Sequence, residues 1–273
     1  MPLPDYHIHT TFCKHAVGRM EEYVERAIGL GFEEIGFADH MPVMPEPQFC
    51  MGYEDLPLYI ERVRELQDAY RGRIGIRLGC EMDIVTGRED EIRDIIVDAG
   101  FDYVIGSVHY LDGWPFDQEK YRDVFEGGEL NAIHDRFFET VIRAANTGLY
   151  DITGHIDNIK RMGYRITGDM TGYYERAAAA LHVMNVAVEV NTSGIDSAAG
   201  EVYPSVEFLS ILNRHGVPVT VGSDAHRPEQ VGRYFDRVCG LLRSAGYDSV
   251  AYFRNRGRIL KPLPGPGGDG DSR

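Results

Sequence analysis

Two histidines separated by a single residue, His7 and His9 in the segment DYHIHT, have the residue type and spacing of a metal site. In an extended strand, side chains two positions apart point to the same face, so both imidazoles would face one space. Neutral imidazole is a frequent metal ligand, and two rings on one face can hold an ion. The segment therefore predicts a metal site beside the first strand.

Seven short β-branched segments alternate with longer amphipathic ones and would position these side chains. The predicted strands span residues 4–10, 33–40, 76–84, 101–110, 151–156, 187–193 and 218–226. Helical patterns lie between them, and several end at a glycine that fits a helix C-cap. Strands that alternate with helices of this length predict βα units around a parallel sheet, so the predicted fold class is α/β.

Almost every predicted strand ends in a histidine or a carboxylate. The residues at these ends, with one histidine from the following loop, are His7, His9, His15, Asp39, His40, Glu81, Asp83, His109, His155, Asp224 and His226. In a closed parallel barrel these ends meet at one edge, where barrel active sites are assembled. A lone histidine on an apolar strand is more often a hydrogen-bonded core residue, but the repeated placement favours a shared site. The helical patterns hold His134, His182 and His215, which are interpreted as surface or packing residues.

The ligand types limit which metals the site would bind. Glu81 and Asp224 lie in apolar strand patterns, and a buried carboxylate is costly unless it is paired or bound to a metal. Imidazoles and carboxylates without a thiolate suit Zn, Mn or Fe, with room for two or three divalent ions. The four cysteines are scattered without a C-x-x-C pair, which predicts free buried thiols at Cys13, Cys50, Cys80 and Cys239.

Charge and composition exclude several classes of partner. The 273 residues are 43% hydrophobic and 26% charged, as in an ordinary soluble protein. With 28 Lys and Arg against 43 Asp and Glu, the formal charge of −15 disfavours nucleic acid polymers and anionic membranes. A small anionic substrate would need a local positive site. No segment approaches the roughly 18 apolar residues of a membrane span, and no secretory signal pattern is present, so a cytoplasmic location is expected. The sequence does not define an oligomeric state.

Six short motifs, HIHT, ADH, GCEMD, SVHY, GHID and GSDAH, follow one another in this order from His7 to His226. They resemble the motifs of the polymerase and histidinol phosphatase (PHP) family. The segments FCKH, MPVMPEP, EVNTSG and EVYPS narrow the resemblance to its monofunctional histidinol-phosphatases. The resemblance implies a distorted seven-stranded βα barrel, similar to a TIM barrel, as a single domain over residues 1–261. The Pro- and Gly-rich remainder, 262–273, is predicted to be a disordered tail.

The resemblance also implies a trinuclear metal centre in which Glu81 bridges two ions. Carried over by position, the three ligand sets are His7, His9, Glu81 and Asp224 for the first ion, Glu81, His109 and His155 for the second, and His15, His40 and His226 for the third. Asp39 precedes a ligand and is interpreted as a partner that orients an imidazole.

These features together predict a metal-dependent phosphomonoesterase. The resemblance implies L-histidinol phosphate as the substrate, hydrolysed to L-histidinol and phosphate in histidine biosynthesis. The divalent ions would activate a hydroxide for in-line attack on phosphorus and neutralise the ester. Catalytic roles are predicted for Asp224, His226 and Arg161.

Five residues are predicted to contact the substrate. The resemblance implies that Arg161 binds the phosphate, since related phosphatases carry a phosphate-binding arginine at this position. A planar guanidinium suits two phosphate oxygens, and Lys160 is the nearest competitor of Arg161. Lys14, Asn191 and Asp196 are the other predicted contacts. Asp196 departs from the resembled pattern, which usually has an arginine or a similar polar residue after NTSG. Its carboxylate would add negative charge near the phosphate, but it could also meet the cationic amine of histidinol.

Two other functions stay open. The same chemistry could act on a nucleotide or another small phosphate ester, or the chain could be an inactive metal-binding accessory domain. The complete ligand set and the absence of a polymerase segment argue against the accessory domain, and the charge of −15 argues against a nuclease. Phosphate release from a panel of esters, with and without a chelator, would separate these functions.

Overall fold

The seven strands predicted from the sequence are all present and pair in parallel in chain order. The structure is a computed structural model that describes residues 3–116, 118, 120, 122–127, 130–165 and 168–265. The strands are β1 (Asp5–Ile8), β2 (Glu34–Phe37), β3 (Gly75–Asp83), β4 (Tyr103–Ser107), β5 (Tyr110–Leu111), β6 (Trp114–Pro115), β7 (Ile152–Thr153), β8 (Ala187–Asn191), β9 (Val219–Gly222), β10 (Ser249–Arg254) and β11 (Gly257–Pro262). The helices are α1 (Met20–Gly29), α2 (Leu56–Ala69), α3 (Glu89–Ala99), α4 (Arg122–Gly127), α5 (Leu130–Thr147), α6 (Thr171–Val183), α7 (Val206–Arg214) and α8 (Phe235–Ser244).

The parallel sheet has the order β1-β2-β3-β4-β7-β8-β9 and curls until its edges approach. The loop after β9 joins them, because Ala225 forms a parallel bridge with Ile8. The Ala225 N–H donates to the His7 carbonyl at 3.1 Å, and the His9 N–H donates to the Ala225 carbonyl at 2.9 Å. The sheet is therefore a nearly closed βα barrel, which confirms the predicted fold class.

The barrel interior is filled by side chains rather than open to solvent. Strands β1, β2, β4, β8 and β9 are buried along their whole length, as expected for parallel strands covered on both faces. Tyr103 crosses the interior and donates its hydroxyl to the Tyr6 carbonyl at 2.7 Å. A Cβ at Gly36 or Gly79 would lie 2.2 Å from the Tyr103 side chain, so only glycine fits at these two positions.

All seven barrel strands end one to four residues earlier than predicted, and two of these ends change the setting of a ligand candidate. β9 ends at Gly222, so Asp224 lies in the loop beyond it, with a φ of 54°. β7 contains only Ile152–Thr153, and the chain leaves extended geometry at His155, where φ is 20°. Both ligand candidates therefore stand on irregular backbone just past a strand end, and their side chains turn into the space above the barrel.

The antiparallel hairpin of β10 and β11 has no counterpart among the predicted strands. Its turn residue Arg256 donates its N–H to the Asp102 carbonyl at 2.8 Å and Nη2 to the Leu149 carbonyl at 2.8 Å. The Arg256 Nε also pairs with the Asp151 carboxylate. The hairpin therefore covers the amino ends of β4 and β7, on the side of the barrel opposite the ligand candidates.

The described residues continue past residue 261, where the domain boundary is predicted, and that boundary stays a prediction. β11 ends at Pro262, which pairs with Ser249 in the hairpin, and Leu263 is buried and donates its N–H to the Asp248 carbonyl at 2.7 Å. Residues 266–273 of the predicted tail lie outside the described residues.

The structure also bears on the cysteines and on membrane insertion. All four cysteines are free, as predicted, with Cys13, Cys50 and Cys80 buried and Cys239 partly buried. Within the described ranges, no helix has the length and apolar character needed to cross a bilayer.

Candidate metal centre

The nine predicted metal ligands gather at the carboxyl ends of the barrel strands. Seven of them line a pocket of about 580 Å³: His15, His40, Glu81, His109, His155, Asp224 and His226. His7 and His9 lie beneath its floor and are fully buried. Their rings stand side by side with centroids 5.0 Å apart, which is the arrangement that alternation along an extended strand predicts.

Glu81, buried near the end of β3, is the common neighbour of five imidazoles. Its Oε1 lies 3.0 Å from His155 Nε2 and 3.6 Å from His109 Nε2. Its Oε2 faces a separate group, with His40 Nδ1 at 3.0 Å, His7 Nε2 at 3.2 Å and His9 Nε2 at 3.4 Å. Burial raises the pKa of Glu81, but the surrounding imidazoles outweigh it and hold the pKa well below its usual value. An ionised carboxylate whose two oxygens face different ligand groups is suited to bridge two metal ions.

Asp224 supplies the second anion of the centre. Its Oδ1 lies 3.4 Å from His9 Nε2 and 3.4 Å from His226 Nδ1. Burial raises the pKa of Asp224, but His7 and the other imidazoles outweigh it, and the pKa stays well below its usual value. The carboxylate is therefore ionised and available to a cation.

A third group of ligand atoms stands at the rim of the pocket. His15, His40 and His226 each offer a nitrogen, all within 4.8 Å of one another, and His15 Nε2 lies 2.9 Å from His226 Nε2. Burial lowers the pKa of His226 to about 3 and also lowers the pKa values of His15 and His40. These imidazoles are therefore neutral near pH 7 and keep a lone pair for a metal. The Cys13 thiol lies 4.0 Å from His15 Nε2, but burial raises its pKa and keeps it protonated.

Several buried nitrogens in this centre lack a hydrogen-bond partner among the described residues: His7 Nε2, His9 Nδ1 and Nε2, His40 Nδ1 and His155 Nδ1. A buried polar atom without a partner is costly, and native proteins rarely contain such a group of them. Three of these atoms surround Glu81 Oε2. Lone pairs that converge beside an anionic oxygen fit a divalent cation, so the residues present suit the predicted ions.

Two acids beside the ligands play different parts. Asp83 Oδ1 lies 3.0 Å from His109 Nδ1 and fixes the orientation of that ring. Asp39, predicted to orient an imidazole, lies 3.9 Å from His9 Nδ1, beyond hydrogen-bond distance. Its carboxylate instead accepts from Thr10, from the N–H at 2.8 Å and from the hydroxyl at 2.5 Å. Asp39 therefore holds the backbone next to His9.

Sequence reasoning missed Glu189, a buried acid in the middle of β8. Its Oε1 lies 2.6 Å from His7 Nδ1. The available signal was the one that identified Glu81, a carboxylate inside an apolar strand, here AVEVN. Asn191, predicted to contact the substrate, is buried two residues further on and donates Nδ2 to Glu189 at 3.1 Å and to Asp224 at 3.4 Å. The structure therefore places Asn191 among the acids below the pocket.

Loops supply the rest of the pocket wall. Besides the ligands, the lining residues are Met44, Phe49, Tyr110, Gln118, Asn158, Arg161 and Tyr203. Met44 and Phe49 follow β2, Tyr110 is in β5, and Gln118 follows β6. The Tyr110 hydroxyl donates to the Glu46 carboxylate at 3.0 Å, which joins the two loops beside the pocket.

Arg161 and Lys160 are neighbours in sequence with different surroundings. Arg161 is exposed and lines both the main pocket and an adjoining cavity of about 220 Å³. Lys160 is buried, and its Nζ lies 2.7 Å from Asp157 Oδ2 and 2.9 Å from Glu201 Oε1. The structure brings Arg161 to the ligands and places Lys160 in an ion-pair cluster beneath it, because the short 3-10 turn ends between them.

Lys14 and Asp196 are held by neighbouring protein groups. Lys14 Nζ donates to the Pro47 carbonyl at 2.8 Å. Asp196 lines the smaller cavity, where Oδ2 accepts from Arg233 Nη1 at 3.0 Å and Oδ1 accepts from the Tyr234 hydroxyl. The negative charge of Asp196 is therefore balanced by Arg233.

The closed parallel barrel and its carboxylate-centred group of imidazoles define a metal-dependent barrel enzyme. The family model of the PHP domain matches residues 5–193, and a model described as PHP-associated matches residues 209–237. The chain belongs to the PHP family, in agreement with the motifs in its sequence.

Relatives of known name narrow the position within that family. The chain is 35% identical over 263 residues to a "Probable histidinol-phosphatase" of Deinococcus radiodurans, covering 93% of this chain and 97% of that protein. It is 28% identical to the histidinol-phosphatase of Bacillus subtilis, covering 85% and 96%. The crystal structure of histidinol phosphate phosphatase from Lactococcus lactis, complexed with zinc, L-histidinol and phosphate, is 25% identical, has a TM-score of 0.80 and covers 94% and 98%. The chain is thus histidinol-phosphatase-like along nearly its whole length.

Proposed function

We propose that the protein hydrolyses L-histidinol phosphate to L-histidinol and inorganic phosphate, as a step of histidine biosynthesis. The observation that carries the proposal is the arrangement around Glu81, whose two oxygens face two separate groups of imidazoles below a pocket with an arginine at its edge. The identity of the proposed substrate comes from the histidinol-phosphatases that match this chain nearly from end to end.

In this proposal the chain's own residues divide the work. Glu81, Asp224 and the seven predicted histidines hold the divalent ions, which when bound supply an activated water and neutralise charge on the phosphate. Arg161 binds nonbridging phosphate oxygens through its guanidinium and stabilises the charge that develops on them. Asp224 and His226 keep the catalytic roles predicted for them, because both border the two cavities that also contain Arg161.

The leaving alcohol fits the less polar part of the pocket. Met44, Phe49 and Tyr110 line the pocket and offer apolar and aromatic surface to an imidazole ring. Asp196 is already paired with Arg233, so this geometry gives it no preference for the amine of histidinol.

The exclusion of nucleic acid polymers and the cytoplasmic location stay predictions.

A substrate panel tests the proposed reaction. We expect the kcat/KM for phosphate release from histidinol phosphate to be at least about 100-fold above that for nucleoside monophosphates or a sugar bisphosphate. The reason is that the pocket wall has to fit the leaving alcohol of the ester. Prolonged dialysis against a chelator should abolish the release, and added zinc or manganese should restore it. Equal rates on all esters would favour the broader phosphatase function, and chelator-resistant turnover would contradict the metal-dependent mechanism.

Replacing Arg161 with Ala is expected to raise KM for histidinol phosphate about 10- to 100-fold, because a charge-assisted pair of hydrogen bonds to the phosphate is lost. The measurement is steady-state kinetics with the metal-loaded protein. Arg165→Ala is the matched control, since Arg165 is also an exposed arginine of this loop but pairs with Glu201 at 2.8 Å. An unchanged KM in Arg161→Ala would remove Arg161 from the phosphate site.

A further inference from the structure

Glu189 is a buried acid of the barrel to which the ligand assignment gives no role. It is 1% exposed, and every residue of its strand, β8, is buried. A buried carboxylate is costly unless several donors or a cation compensate it. Its contacts therefore indicate what it does.

Three groups converge on this carboxylate, from β1, from the turn after β7 and from β8 itself. Oε1 lies 2.6 Å from His7 Nδ1, and Oε2 accepts from the His155 N–H at 2.9 Å and from Asn191 Nδ2 at 3.1 Å. Because a carboxylate group accepts hydrogen bonds, His7 is assigned as the donor, through Nδ1. In the neutral ring this assignment leaves the Nε2 lone pair of His7 facing Glu81 and the space between the ligands.

The backbone at His155 needs such a support. Its φ of 20° lies outside the populated regions for a residue with a side chain, and such a conformation persists only where surrounding contacts fix it. The hydrogen bond from the His155 N–H to Glu189 is one of those contacts. It holds the peptide from which the His155 ring reaches Glu81 Oε1.

The neighbouring strand is shaped around the same carboxylate. A Cβ at Gly222, the last residue of β9, would lie 2.0 Å from Glu189 Oε1. Only glycine leaves room for the acid at this point. The position of Glu189 is thus fixed by its three donors and by the close approach of β9 at Gly222.

We infer that Glu189 is a positioning residue that couples the first and second metal sites by holding His7 of one and His155 of the other. The inference deepens the proposed function and rests on its ligand assignment. Among the described residues, Glu189 forms hydrogen bonds with His7, His155 and Asn191 and with none of the third site's histidines, so the third site is expected to be independent of it. This separation makes the inference testable by counting ions.

Glu189→Gln changes one acceptor into a donor with almost no change in volume. The Gln oxygen can face His7 or the His155 N–H, but its amide nitrogen then meets the other donor. Since the backbone N–H cannot reverse, the side-chain oxygen is expected to keep His155, and His7 would have to release its Nδ1 proton. A proton moved to Nε2 of His7 blocks the lone pair that faces Glu81.

Zinc titration of the metal-free full-length protein, with metal content measured after dialysis, tests the coupling. We expect Glu189→Gln to bind two of the three zinc ions about 10- to 100-fold more weakly and to keep the third at wild-type affinity. Asp83→Asn is the matched control, because Asp83 contacts His109, a ligand of the second site alone. This variant should bind only one of the three zinc ions more weakly. Glu189→Asp, which is shorter by one methylene, should resemble Glu189→Gln rather than rescue it.

The possible outcomes separate positioning from simple structural support. Unchanged zinc affinity in Glu189→Gln would overturn the inference. Loss of all three ions together with a large fall in the melting temperature of the metal-free protein would also overturn it, because that pattern indicates unfolding. Selective loss of two ions would support it even if the wild-type protein failed to hydrolyse histidinol phosphate, in which case only the proposed substrate would be lost.

Discussion

Glu81→Gln is expected to lower kcat/KM for histidinol phosphate by about 1,000-fold or more, or ~4 kcal/mol of transition-state stabilisation. The two oxygens of Glu81 face separate groups of imidazoles, at 3.0 Å from His155 Nε2 on one side and 3.0 Å from His40 Nδ1 on the other. An amide cannot replace both oxygens, because its NH2 group only donates hydrogen bonds and has no lone pair for a metal ion. The variant would therefore fail to hold two adjacent ions.

The change is to be measured as steady-state phosphate release together with the zinc content of the purified variant. Glu61→Gln, the same substitution on the exposed face of α2, is the matched control and should leave both quantities unchanged. The circular dichroism spectrum and the melting temperature of the metal-free variant establish that the barrel is folded. A folded Glu81→Gln variant with wild-type turnover would contradict the bridging role.

The positions of the barrel strands in the sequence could be predicted because these strands are buried on both faces. Strands buried on both faces need continuous apolar, β-branched sequence, and segments such as AVEVN and VTVG stand out from the amphipathic helices between them. The β10–β11 hairpin was missed for the opposite reason. Its position depends on contacts distant in sequence, such as Arg256 with Asp102 and Asp151, and its outer strand is largely exposed.

The ligand candidates were predictable because histidines and acids at strand ends are uncommon and repeated. The division of Glu81 between two groups of imidazoles was expected only from the resemblance, and the distances now support it. The parts played by Glu189 and Asn191 depend on strand register, which the sequence does not contain. In the sheet Glu189 pairs with Thr220 and Asn191 with Gly222, and this register brings both beside the loop that carries Asp224.

The difference between Arg161 and Lys160 could not be predicted, because both are basic residues of one turn. The turn Asn158–Lys160 directs Lys160 inward, where Asp157, Glu201 and the Val202 carbonyl surround its ammonium. Arg161 comes one residue later and faces the pocket. Which of the two can bind phosphate thus follows from a rotation of about 120° per residue, as in a 3-10 helix.

Lys160→Met is expected to lower the free energy of unfolding by about 3–5 kcal/mol, because it leaves the buried Asp157 carboxylate without its cation. For a barrel of this size the loss corresponds to a fall of roughly 10 °C in melting temperature. Burial already raises the pKa of Asp157, and Lys160 opposes that rise. A raised folded-state pKa favours the folded state at low pH, so the deficit of the variant should shrink on acidification as Asp157 takes up a proton.

Thermal unfolding of the metal-free proteins measures this effect without interference from bound ions. Arg165→Met is the control, since Arg165 pairs with the same Glu201 at the surface and should cost no more than about 1 kcal/mol. In the double variant Lys160→Met with Asp157→Asn, most of the lost stability should return, because a neutral amide can still accept from the Ser205 N–H, now 2.9 Å from Asp157 Oδ2. If Lys160→Met instead kept its melting temperature and raised KM for histidinol phosphate, Lys160 would belong to the phosphate site after all, and the buried ion pair would not be what anchors this turn.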